Sequence, residues 1–408
     1  MMRKLGILLL IIAMLPVTGC WSRVELNDLS IVTAAAIDKR DDGKYLLTLQ
    51  IAVPKMLGPD GGSGKSGGGG GGGAGGGGNK PTVIVSEKGE TIMDAMRKLQ
   101  KKLPRRLFFS HSRIIVIGEK QAREGVAPVL DFFTRYRESR LRSFILVSEG
   151  EAANILSLNA KWEKISAEEI REEEKRHIGL QIYLKDFIHM LLTDGVEPVT
   201  AQVMLQRAEV DGGENSSEQE MNAAISGSAV FRKDKLVGWL DDAETRGVLW
   251  LRNELKTGIV TVDIPEDKGG GKISAILFNA TTKIKPVLRN NKLKINVETR
   301  TENILFENSS KLDIGNPKVI QYVEQEMEQA TKERIESTLY KAQKTFNSDI
   351  FGLGTAVYRT YPKAWNRKYK DRWDDEFSRV EVDIHPHAKV VRTGLTNKSM
   401  IMVEEEHK

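Results

Sequence analysis

The sequence predicts an α+β protein of more than one domain. Mixed and antiparallel sheets carry packed helices, and the C-terminal domain is an antiparallel sheet with one long helix. Three observations predict this. Tyr45, Leu47, Leu49, Ile51 and Val53 recur with a period of two, which gives a strand one apolar face. Val319, Tyr322, Val323, Met327, Ala330, Ile335 and Leu339 recur near helical spacing behind Pro317, so a helix runs from there to about Thr345. Between these segments, Gly269-Gly270-Gly271 and Arg289-Asn290-Asn291 separate apolar runs as hairpin turns do.

Taken in chain order, residues 30–37 and 45–53 read as two strands joined by the turn Lys39-Arg40-Asp41-Asp42-Gly43. Strand character resumes at Pro81. Thr91 followed by Asp94 forms a capping box that opens a helix, with Ile92, Met96, Leu99 and Leu103 as its apolar stripe and Pro104 as its stop. A short buried strand covers 113–118, a helix 131–138 and a strand 144–147. Two amphipathic helices follow, over 167–176 and 184–192. The polar stretch 211–220 reads as a boundary. Beyond it, short strands are expected at 224–230, 236–240 and 249–251, and longer ones at 259–264, 273–284 and 293–301. After the long helix, a second helix covers 362–377, and strands at 380–384 and 389–392 close the domain.

The N-terminus carries the clearest functional signal. Arg3 and Lys4 precede an apolar run over 5–17, shorter than the roughly 20 residues a membrane span needs and matched to a secretory signal. It ends in Val17-Thr18-Gly19-Cys20. Small residues before a cysteine form a lipoprotein cleavage site, where the thiol takes a diacylglycerol and the new amine is acylated. Cys20 is the only cysteine in the chain, and a lone cysteine in an exported protein calls for such a role. Acyl chains there anchor the mature chain to the outer side of a membrane. With Cys20 so used, disulfides, thiolate metal sites and a cysteine nucleophile are excluded. A net charge of +5 and a pI near 9.0 suit an anionic surface and fall short of a nucleic-acid footprint.

Other motifs carry no chemistry of their own. Gly64-Lys65-Ser66 ends a phosphate-loop pattern, but Pro59 stands where its first glycine belongs. Polyglycine follows, which costs about 1 kcal/mol per residue in a helix, so no helix supplies the phosphate cradle. The segment 58–81 is a flexible insertion. Among the six histidines, His385 and His387 share a strand face without a third ligand, and His111 reads as a hydrogen-bonded structural residue. Lys98, Lys101, Lys102, Arg105 and Arg106 form a solvated basic cluster that anionic lipid is also able to contact. Glu168, Glu169, Glu172, Glu173 and Glu174 pair with Arg171, Lys175 and Arg176 on a helix face. No catalytic, cofactor or metal residue is expected. The one expected site is lipidation at Cys20.

Five stretches resemble a known family. They are Gly19-Cys20-Trp21 with Glu25-Leu26-Asn27; Leu107-Phe-Phe-Ser-His-Ser-Arg-Ile-Ile-Val-Ile-Gly-Glu119 with Arg135-Tyr-Arg-Glu138; Phe231-Arg-Lys-Asp-Lys-Leu-Val-Gly-Trp-Leu240 with Glu244-Thr245-Arg246-Gly247; Ser348-Asp-Ile-Phe-Gly-Leu-Gly354; and Tyr361-Pro-Lys-Ala-Trp365 with Trp373 and Phe377. In this order and spacing they resemble the Ger(x)C lipoproteins, the C subunits of nutrient germinant receptors in spore-forming bacteria.

The resemblance implies a division into a signal peptide at 1–19, an N-terminal α/β domain at 20–200, a linker at 201–222, a C-terminal α+β domain at 223–398 and a tail at 399–408. It also implies a subunit of a receptor complex on the extracytoplasmic face of the spore inner membrane; the lipid anchor at Cys20 and the lack of an active-site or ligand-pocket motif point to a non-catalytic docking and stabilising role. Its partners there would be membrane-spanning A and B receptor subunits, which sense the nutrients. The alternative is a solute-binding lipoprotein of a transporter, which predicts two lobes built on parallel sheets.

Overall fold

The computed structural model describes residues 28–53, 81–158, 163, 165–175, 179–207 and 221–394. Cys20, the glycine-rich insertion, most of the expected linker and the tail lie outside the described residues.

The first half is built on a sheet ordered β3-β2-β1-β5-β6-β7-β8-β9, with β4 pairing beside β1. Its strands are β1 (Leu29–Lys39), β2 (Tyr45–Ala52), β3 (Thr82–Gly89), β4 (Arg106–Phe108), β5 (Ile114–Gly118), β6 (Phe144–Ser148), β7 (Val199–Arg207), β8 (Met221–Arg232) and β9 (Lys235–Leu240). β1, β5, β6 and β7 form a parallel block, and antiparallel ribbons flank it on both sides. Every residue of β5 and β6 is buried, as parallel strands covered on both faces require. Alternate residues therefore enter different cores: Ile115, Ile117, Ile145 and Val147 on one side, Ile114, Val116 and Leu146 on the other.

Helices cover both faces. They are α1 (Ile92–Lys102), α2 (Glu119–Glu124), α3 (Ala127–Arg135), α4 (Ala152–Leu156), α5 (Ser166–Lys175) and α6 (Leu184–Leu192). Thr91 caps α1 by accepting from Asp94 N at 3.1 Å, and Asp94 in turn accepts from Glu90 N at 3.2 Å. Gln50 docks α5 through the buried floor, donating to Ser166 Oγ at 2.7 Å.

The second sheet is ordered β10-β11-β12-β13: β10 (Gly258–Asp263), β11 (Lys272–Arg289), β12 (Lys292–Asn308) and β13 (Glu381–Arg392). β11 and β12 meet in a tight hairpin whose central residues, Asn290 and Asn291, have φ of 46° and 64°, the double left-handed turn that suits twisted strands. Three more helices complete this half as α7 (Asp242–Leu251), α8 (Pro317–Tyr340) and α9 (Leu353–Thr360), followed by the short α10 (Trp373–Phe377). Glu324 and Glu328 of α8 accept from Val390 N at 2.8 Å and Ala388 N at 3.0 Å. The edge strand β13 thus has backbone donors satisfied by side chains, which blunts its tendency to pair with another chain.

Several expectations are corrected. The closing sheet is antiparallel over β10, β11 and β12, but β13 runs parallel to β12. The hairpin β8–β9, expected in the second sheet, extends the first sheet instead because β8 pairs with β7. Residues 201–207 and 221–222, read as linker, are strand residues of that pairing. The strand expected at 249–251 is the end of α7. All four of Val248, Leu249, Trp250 and Leu251 are buried, so the helical period is hidden, and the capping box of Asp241 with Glu244 (2.8 and 2.9 Å) was the overlooked signal. Strands expected at 380–384 and 389–392 are one strand running through Pro386, and an edge position tolerates its missing N–H.

The helix expected over 362–377 is broken into short turns that include a widened, π-type turn at Trp365–Tyr369. Trp365, Tyr369, Trp373 and Phe377 recur every fourth residue and are all buried. A regular helix of 3.6 residues per turn rotates such a row off one face, and wider turns hold it in line.

Candidate functional site

The two sheets meet along a seam built around the loop Ser348-Asp349-Ile350-Phe351-Gly352-Leu353-Gly354. α8 ends in a π-type turn, Lys341–Phe346, and Asn347 then reverses the chain at φ 47°. Ser348 Oγ donates to Phe231 O of β8 at 2.5 Å. Asp349 is 3% exposed and accepts from backbone N–H groups on its own loop. Oδ1 takes Gly352 N at 2.9 Å and Leu353 N at 3.1 Å, and Oδ2 takes Gly354 N at 2.8 Å. Oδ2 also accepts from Trp373 Nε1 at 2.9 Å, which locks the aromatic row onto the loop. Burial pushes the Asp349 pKa above the ordinary carboxylate value, and these donors pull the other way. Gly352, at φ 78°, supplies a left-handed turn that a side chain would strain.

From the other side comes the segment after α6. Glu197 N donates to Asp349 O at 2.8 Å, and Thr355 N donates to Gly195 O at 3.1 Å. The Glu197 carboxylate accepts from Lys233 N at the tip of the β8–β9 hairpin, where Lys233 has φ 55°. Burial raises the Glu197 pKa. Over these contacts opens a polar cleft of about 480 Å³ lined by Asp194, Glu197, Lys233, Asn347, Asp371 and Trp373. Ion pairs cross its rim: Lys370 to Asp194 at 2.9 Å and Arg232 to Asp374 at 3.1 Å. Chemically the arrangement is a clamp. Its buried carboxylate is consumed by holding backbone.

Two further cavities are present. One of about 530 Å³ is an aromatic groove between α1 and α3, lined by Tyr45, Met93, Phe132 and Tyr136. The other, of about 470 Å³, lies at the carboxyl ends of β1 and β5. There Asp38 accepts from Ala152 N at 2.7 Å and Ala153 N at 3.0 Å, and burial raises its pKa. It fixes the first turn of α4 and has no sequence signal, because its partners lie more than 100 positions away.

The residues singled out from sequence fare differently. Cys20 and the Gly64-Lys65-Ser66 stretch lie outside the described residues. His111, read from sequence as a hydrogen-bonded structural residue, is exposed, its ring 5.7 Å from that of Phe108. His385 and His387 lie on β13, both exposed, and among the described residues no cluster of three or more metal-ligating side chains occurs. In the basic cluster Lys98 pairs with Asp94 at 2.8 Å, Lys102 with Glu87 and Arg106 with Glu138. Arg171 pairs with Glu168 and Glu172 as expected of a solvated helix face. Trp365, Trp373 and Phe377 are core residues, with ring centroids 5.3 and 6.4 Å apart along the row. No helix among the described residues is long and apolar enough to cross a membrane.

Comparison with known proteins gives this geometry a setting. The family described as spore germination protein N-terminal domain matches residues 22–205, and the one described as spore germination B3/GerAC like, C-terminal, matches residues 226–394. The chain is 32% identical over 383 residues to the putative spore germination protein YfkR of Bacillus subtilis, covering 94% of this chain and 95% of that protein. It is 31% identical to spore germination protein KC of the same organism, covering 97% and 98%. Among solved structures it resembles the crystal structure of the GerBC protein, with a TM-score of 0.55 at 21% identity, covering 88% of this chain and 96% of that one. That likeness supports the α+β fold of two sheets with packed helices. The seam described above joins the two family regions, which together cover most of the chain, and carries parts of two of the signature stretches. The chain belongs to the Ger(x)C family of spore germination proteins.

Proposed function

We propose that the chain is the C subunit of a nutrient germinant receptor, anchored by acylated Cys20 to the outer face of the spore inner membrane. It acts without catalysis, docking and stabilising membrane-spanning A and B partner subunits. The observation that carries this reading is the match of both family regions, together covering most of the chain, alongside curated spore germination relatives. The clamp at Asp349 supports a structural task, since its buried polar groups are spent on the protein's own backbone. A solute-binding lipoprotein gains no support from a fold with one mixed sheet and one smaller, mainly antiparallel sheet.

A strain carrying Cys20→Ala tests the anchor, scored for labelled fatty-acid incorporation and for nutrient germination. Loss of label with impaired germination is expected. Unchanged labelling contradicts the anchor, and an unchanged nutrient response shows it to be dispensable.

A further inference from the structure

The second sheet has two unlike faces. Val260, Ile273, Ala275, Leu277, Ile295 and Val297 point inward to the core that α8 covers. On the opposite face Ile259, Ile276 and Ile304 sit side by side across β10, β11 and β12, as direct register partners. Ile276 and Ile304 are half-buried yet pack into neither core cluster. Phe278 and Phe306 stand at the two β-bulges between β11 and β12, and Phe306 is 78% exposed. Val391, at a bulge of β13, extends the apolar patch to the sheet edge. Folded proteins rarely leave two phenylalanines and a row of isoleucines together in water without a partner.

The charges around the patch say what kind of partner. Lys283, Arg300, Lys389 and Arg392 are exposed on this face, Arg392 as the register partner of Ile304. Against them stand Glu302 and Glu307; the other carboxylates of this face are paired, Glu298 with Lys285 at 2.7 Å, Asp263 with Lys272, and Glu381 and Asp383 with Lys294 at 2.9 and 2.5 Å. An apolar centre with protruding aromatics and a basic rim matches an anionic lipid interface, where rings enter the headgroup region and cations meet phosphates. A second copy fits less well, because two-fold pairing of the face brings the same cations opposite one another.

We propose that this face of the β10–β13 sheet docks onto an anionic membrane surface. It thereby holds the C-terminal half of the subunit against the bilayer. The proposal deepens the membrane-anchored reading without depending on acylation, and its test separates the two.

The test uses a form beginning at Trp21, which keeps every described residue and has no Cys20 to acylate. Flotation is measured with phosphatidylglycerol vesicles and with phosphatidylcholine vesicles. Binding to the first and not the second is expected, weakened by salt. The Phe278→Thr/Phe306→Thr variant keeps strand-compatible residues at exposed positions. It is expected to lose vesicle binding by on the order of tenfold with an unchanged circular dichroism spectrum. Absent flotation with phosphatidylglycerol, or equal flotation of the variant, overturns the proposal. So does self-association in sedimentation velocity that the double variant abolishes, which assigns the face to a second copy.

Discussion

Gly354 and Gly195 touch backbone to backbone across the seam between the two family regions. A Cβ added to Gly354 lies 2.6 Å from Gly195 Cα and 2.6 Å from Trp373 Nε1, and one added to Gly195 lies 2.7 Å from the Gly354 carbonyl carbon. Neither position has room for a methyl group, so the halves close to this distance only because both residues are glycine.

Gly354→Ala is therefore expected to destabilise the protein by about 2–3 kcal/mol, the range of an overpacked core, because backbone rather than a flexible side chain must move. Urea unfolding checks this. An Ala variant within roughly 0.5 kcal/mol of the parent, the usual size of a surface change, would mean that the seam is looser than described.

Asp349 holds the loop that brings Gly354 to the seam. Asp349→Ala leaves several buried N–H groups and the Trp373 indole without an acceptor, so about 3 kcal/mol of stability should be lost. Trp373→Phe removes one donor and is expected to cost about 1 kcal/mol. In a double-mutant cycle the two changes should couple, since each acts on the same bond. Additive losses would contradict a shared bond.

Glu197 makes a pH prediction with a definite sign. Burial raises its folded pKa above the unfolded value, so the folded state holds the proton more tightly. Its contribution is largest below the ordinary glutamate pKa and falls as pH rises through the raised folded value. Glu197→Gln keeps an acceptor for Lys233 N and carries no titrating proton. Stability of the parent should decline relative to this variant as pH rises across that window, as read from thermal midpoints. Parallel profiles would show that Glu197 does not titrate as described.

The Thr91 hydroxyl caps α1 at an exposed position. Thr91→Ala should cost about 1 kcal/mol through the lost cap, and Thr91→Ser should restore most of it. Equal stability of Ala and Ser variants would place the helix start under other control.

What the sequence made legible follows from range. The α1 cap, the Asn290-Asn291 turn and the β1–β2 hairpin are local, and residues within a few positions specify them. The role of Asp349 is hidden within its signature stretch, because its partner Trp373 lies in a separate helical turn. Asp38 left no trace, since its partners Ala152 and Ala153 come from another crossover. The strand β13 was expected antiparallel because short runs after a helix give no direction, and direction here is set by its pairing with β12. The apolar outer row of Ile259, Ile276 and Ile304 was not legible in the sequence, for a strand with apolar residues on both faces looks the same whether one face is covered or open.

The most direct test of the proposed docking role is the fate of the proposed A and B partner subunits when this chain is absent. Spore membranes from a deletion strain and its parent are compared for the amounts of the neighbouring A- and B-type membrane subunits, and the chain is tested for co-purification with them in mild detergent. A docking and stabilising subunit predicts co-purification in the parent and a marked fall of both partners in the deletion strain. Unchanged partner levels together with no co-purification would contradict it.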